Sequence, residues 1–217
     1  MQTLTKELVA AGLANRVLRE SQLQRLLSGT PQRRYHLVNR AMAAGELLRL
    51  RRGRYVLARQ FRAHAVHPFA LAQDFVAGSY VSLETALAQH GWIPEAVHSV
   101  ACITSSRKSS QVQHAVFGSF SFHALALNPG YFLELVERHE LDGQIALIAK
   151  PIRALLDLVC LRKQPWQGMA WLVDGLRIDE EQLRSTTQAQ ICTLRLVYRH
   201  QRVRFFLESL AKELGYA

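Results

Sequence analysis

Gln32, Arg33, His36, Asn39 and Arg40 are spaced so that on a helix all of them, with the small Ala43, share one exposed face. That face carries no bulky apolar group and offers guanidinium, amide and imidazole donors. Arg can bond guanine and Asn or Gln can bond adenine along their major-groove edges, so the chemistry available is base-edge reading. Arg34 falls nearer the buried side by angle, and in the first helical turn it is expected to reach a phosphate or solvent. A second group, Arg49, Arg51, Arg52 and Arg54, brackets Gly53. Its chemistry is neutralisation of phosphates, or insertion of a cation into a minor groove.

Other groupings offer less. Glu134, Glu137 and His139 are close in sequence, but Glu134 and Glu137 read as the wet side of a helix containing Leu133, Leu135 and Val136. Asp157 lies one position from Leu156 in an apolar helix, where the i, i+4 spacing makes it a buried partner for Arg153 rather than a catalyst. His64 and His67 have no acid or thiol nearby to complete a metal set. There is no phosphate-cradling Gly-rich loop and no HExxH. The expectation is a protein without catalytic residues, metal or cofactor.

The elements that would hold the first two groups can be read in order. Leu4, Leu8, Val9 and Leu13 recur at helical spacing, and Gly12 and Asn15 end that helix. Arg16 to Arg19 reads as a minor strand. Ser21, with Gln24 three residues later, is expected to cap a second helix that buries Leu23, Leu26 and Leu27 and stops at Ser28-Gly29. Thr30-Pro31 opens a third, with a capping hydroxyl followed by a proline that loses no useful donor. It should run to about Ala44 and end at Gly45, with Val38, Ala41 and Met42 inward and Leu37 and Tyr35 flanking them. Leu47 to Arg51 and Arg54 to Ala58 read as two strands around Gly53, with Leu48 and Leu50 facing the helices and Arg49 and Arg51 facing out. Three helices followed by a basic hairpin is the winged helix-turn-helix pattern, in which the third helix enters the major groove.

Charge agrees with that assignment. Residues 1–60 hold twelve Lys and Arg against three acids, a net of +9, whereas residues 61–217 carry fifteen bases and fourteen acids. Nearly all the excess of +10 therefore sits in one short segment, the electrostatic footprint of a phosphate binder. No apolar run approaches the roughly 18 residues of a membrane span, and MQTLTKELVAAG lacks the apolar stretch of a secretory signal, so a cytoplasmic protein with no membrane partner is expected. Cys102, Cys160 and Cys192 have no paired spacing and read as reduced thiols.

Residues 61–67 read as a linker between a DNA-binding domain over 1–60 and an α+β domain over 68–217 that ends in helices. In the second domain Pro68 to Ala77 reads as a helix, and Ser82 is expected to cap another running to Gly91. Val97 to Thr104, Gln113 to Phe117, Phe120 to Leu127 and Gln144 to Ile148 read as strands, with Gly118 turning between the middle pair. A strong helix follows Pro151.

Three segments together resemble the AbiEi-like antitoxins of type IV toxin–antitoxin systems. They are the run from Gly45 to Val56 (GELLRLRRGRYV), Tyr80 to Leu87 (YVSLETAL) with His90-Gly91, and Ile148 to Pro151 (IAKP) leading into Arg153 to Leu158 (RALLDL). The likeness spans most of residues 20–162. Arg153 stands where a lysine is expected, and the tail beyond about residue 165 has no counterpart. The resemblance implies a repressor that binds inverted repeats in duplex DNA upstream of its own operon. It also implies an antitoxin that opposes a nucleotidyltransferase-like toxin, with or without direct contact. Two other readings stay open from the residues alone: a regulator whose second domain senses an effector, and an enzyme acting on nucleic acid.

Overall fold

A computed structural model describes residues 1–95 and 97–216. The chain is a mixed α+β protein that divides into two compact units, Met1–His67 with Asp142–Gln144, and Pro68–Leu141 with Ile145–Ala217. No helix among the described residues is long and apolar enough to cross a membrane.

The first unit runs α1 (Thr3–Ala10), β1 (Leu18–Arg19), α2 (Glu20–Leu26), α3 (Pro31–Ala43), β2 (Leu47–Arg51) and β3 (Arg54–Leu57), and its sheet has the order β1-β3-β2. Leu4, Leu8, Leu18, Leu23, Val38 and Ala41 meet Leu47, Tyr55 and Leu57 in one core. The α2 cap differs from expectation. Arg19 rather than Ser21 occupies the cap position, and its N–H donates to Gln22 Oε1 at 2.8 Å. Gln24 is not involved, because β1 continues to Arg19 and leaves Glu20 as the first helical residue. At α3 the threonine cap forms, with Thr30 Oγ1 accepting from the Arg33 N–H at 3.2 Å.

The faces of β2 also differ from the simple alternation. Leu47 pairs with Leu57 and Arg49 with Tyr55, so Leu47 and Arg49 share the sheet face that carries the core residues Tyr55 and Leu57. Because side chains alternate with period two, a one-residue offset exchanges the faces. The pairing then shifts between Arg49 and Arg51, a bulge that lets Leu50 be buried as well and sets Arg51 opposite Arg54.

The second unit contains α4 (Pro68–Phe75), β4 (Ser79–Val81), α5 (Leu83–Gln89), β5 (Ser99–Thr104), β6 (Ser110–His114), β7 (Gly118–Ala124), β8 (Val136–Leu141) and β9 (Gln144–Ala149). Then come α6 (Pro151–Arg162), a π-helical turn at Trp171–Gly175, α7 (Glu180–Arg184), α8 (Gln188–Arg195) and α9 (Gln201–Glu213). The strands form one sheet in the order β6-β7-β5-β4-β9-β8, with β5 parallel to β7 and β4 parallel to β9. Gly118 opens β7 instead of turning between strands. The helix expected around Leu133 to Glu137 is absent: residues from Val136 form β8, and Leu135 takes a positive φ of 54° that halts helical propagation.

Arg153 and Asp157 on α6 are both wholly buried, with Nε to Oδ1 at 3.0 Å. Asp157 also accepts from the hydroxyls of Ser82 (2.8 Å), Tyr80 (3.0 Å) and Tyr198 (2.7 Å). Ser82 therefore spends its hydroxyl on Asp157 and leaves α5 without a side-chain cap. The Arg153 Nη2 donates to Tyr80 Oη at 2.6 Å. Burial alone would depress the Arg153 guanidinium, but the Asp157 carboxylate together with the Tyr198 and Tyr80 phenols outweighs it and raises it above its ordinary value. Burial pushes the Tyr80 and Tyr198 phenols well up, so both stay donors.

Burial lowers the His90 imidazole below its ordinary value, despite a 3.0 Å bond to the Ala149 carbonyl that needs only one ring N–H. A histidine depressed in the folded state binds its proton more readily when unfolded, so stability drains away as pH falls through the ordinary histidine range near 6.5. Melting temperatures measured from pH 8 down to 5 should fall below that point. His90→Gln should make the decline shallower, and an identical slope in the variant would remove His90 as its source.

Candidate nucleic-acid interface

The face of α3 and the β2–β3 turn border a groove of about 780 Å³ in the first unit. Gln32, Arg34 and Asn39 line it from the helix, and Arg49 and Arg52 from the hairpin. Gly53, with φ of 71°, makes the turn that holds Arg52 and Arg54 close together.

The other predicted residues lie outside this groove. Arg33, His36, Arg40 and Arg51 are exposed and Arg54 is half-buried. On α3 the angular step explains the division: Arg33, His36 and Arg40 fall on the far side of the exposed arc from Val38 and Met42, both of which border the groove. The two first-turn arginines fold back over the α2–α3 connection. Arg34 Nη1 donates to the Gly29 carbonyl at 2.7 Å, and Arg33 Nη1 reaches the Ser28 carbonyl at 3.4 Å. Gln32 Nε2 and His36 Nε2 are 3.1 Å apart, one helical turn along the rod.

Tyr35 is the clearest departure from the sequence expectation. It was expected beside the core, yet it is 63% exposed and lines the groove between Gln32 and Asn39. The apolar stripe of α3 ends at Val38 and Met42, and the next position around the helix already faces the opening. The row formed by positions 32, 35 and 39 is the spacing that signals this placement. From α2, Glu20 and Gln24 complete the lining and were not anticipated. Burial, and next the Glu20 carboxylate, raise the Tyr55 phenol, which is thereby kept protonated at the groove's floor.

Chemically the groove combines amide groups that can bond base edges, two phenols, and three guanidiniums that can bind phosphate. The helix above it is a rod of 13 residues, roughly 20 Å long.

These features define a two-unit α+β protein whose smaller unit concentrates cations around a helix and a tight hairpin. A solved structure described as the crystal structure of RV2827C protein from Mycobacterium tuberculosis is similar in fold, with a TM-score of 0.55 and 18% sequence identity over 97% of this chain and 78% of that chain. No protein-family model and no curated protein sequence matches the chain.

Proposed function

We propose that the chain is a DNA-binding transcriptional repressor whose first unit is a winged helix-turn-helix, with α3 entering the major groove and the β2–β3 hairpin acting as the wing. One observation carries this reading: five of the ten residues picked for base or phosphate chemistry line a single groove, and most of the others are exposed nearby in the same small unit. A helix of ordinary diameter, about 10–12 Å, matches a major groove about 12 Å wide. The sequence resemblance extends the reading to an antitoxin that represses its own operon and opposes a nucleotidyltransferase-like toxin. Its operator would be an inverted repeat, filled by paired copies of the first unit.

Footprinting on the region upstream of the protein's own gene tests DNA binding and autoregulation together. Within a footprint, Asn39→Ala should flatten the preference for the bound sequence by about 1–3 kcal/mol. Arg52→Ala should weaken all duplexes alike and reduce the salt slope by about one. Equal losses on every sequence from both substitutions would show that α3 does not read bases.

A further inference from the structure

The second unit contains a cavity of about 660 Å³ bordered by the residues that follow β5 and β7. The two strands are parallel, with Thr104 opposite Ala124, so both leave the sheet at the same end. Ser105, Ser106 and Arg107 form one wall, and Leu125 to Gly130 with Phe132 form the other.

Arg199 reaches the same cavity from the segment between α8 and α9. Its backbone is fixed there by a strand-like pairing: the Arg199 N–H donates to the Ala126 carbonyl at 3.1 Å and the Asn128 N–H to the Val197 carbonyl at 2.8 Å. No Asp or Glu lines the cavity among the described residues, and neither Arg107 nor Arg199 has a carboxylate partner among them. Two uncompensated guanidiniums around one concavity stand out against residues 61–217, whose bases exceed acids by one.

A second observation concerns what the buried ion pair holds. Arg153 Nη1 donates to the Glu134 carbonyl at 3.1 Å, and its guanidinium lies 3.5 Å from the carbonyl oxygens of Tyr131 and Phe132. A buried ion pair is weak as a source of stability compared with apolar residues of the same volume. Here it fixes the segment that presents the half-buried ring of Phe132, which packs edge-on against Tyr80 at 5.1 Å.

We propose that this cavity binds a small phosphate ester of mononucleotide size. Arg107 and Arg199 clamp the phosphate in the geometry guanidinium groups favour, Ser105 and Ser106 supply hydroxyls, and Phe132 offers an apolar wall to the base. The volume lies within the roughly 300–1,000 Å³ of small-molecule sites. The site is separate from the DNA reading and does not depend on it.

Calorimetric titration of the full chain with AMP, adenosine and a duplex oligonucleotide tests it. AMP should bind and adenosine should not. Arg107→Ala and Arg199→Ala should each weaken AMP by roughly tenfold, the value of one charge-assisted hydrogen bond. Both side chains are exposed, so melting without ligand should not change. No heat with AMP, AMP binding that survives both substitutions, or an arginine-dependent response to duplex alone each overturns the proposal.

Discussion

Asp157→Ala is expected to cost about 3–5 kcal/mol of folding stability, a large share of the roughly 5–15 kcal/mol that holds an ordinary domain folded. The substitution removes the carboxylate that faces Arg153 and leaves a guanidinium with no exposed surface and no counter-charge. It also strands the hydroxyls of Ser82 and Tyr80 and leaves that of Tyr198 only the Arg153 carbonyl at 3.4 Å. Denaturant titration of the variant measures the loss. The paired change Arg153→Met with Asp157→Leu provides the contrast: it removes the uncompensated charge, so the double variant should be more stable than Asp157→Ala, although the hydroxyls still lack that acceptor. If Asp157→Ala melts with the wild type, the ion pair is not the centre of this core.

Affinity for duplex DNA should fall by roughly a thousandfold between 50 and 200 mM salt, on the basis of about six phosphates neutralised by the first unit. The motivating observation is the net charge of +9 over residues 1–60, with Arg33, Arg40, Arg49, Arg51 and Arg52 all exposed. Each neutralised phosphate releases condensed counterions, so the slope counts cations in contact rather than cations present. Replacing Arg49 and Arg52 together by alanine should lower the slope by about two. Affinity that stays flat across that salt range would falsify the assignment of α3 and the hairpin as a DNA surface.

Much of the first unit was legible because its signals are local. A threonine cap before proline, a glycine after the last helical residue and a glycine between two apolar-basic runs each fix the chain through its own φ, ψ or hydrogen bond, and α3 and the hairpin form where those residues place them. The pairing of Arg153 with Asp157 was legible for the same reason, since i and i+4 on one helix meet whatever surrounds them.

What could not be read depends on partners far away in sequence. Arg49 joins the groove only because β2 pairs with β3 in a particular register and then bulges at Leu50. Tyr35 is exposed because the core closes over Val38, Ala41 and Met42 and leaves the next position around α3 outside. The stretch from Val136 extends as a strand although its composition also suits a helix, because it lies beside β9 in the sheet. Thus the sequence alone determined α3, the β2–β3 turn and the concentration of cations near the amino end, the first two through bonds within a few residues. Only the tertiary structure decided which cations share a groove and that Arg107 and Arg199 border one cavity, because strand register and long-range pairing set which face each side chain takes.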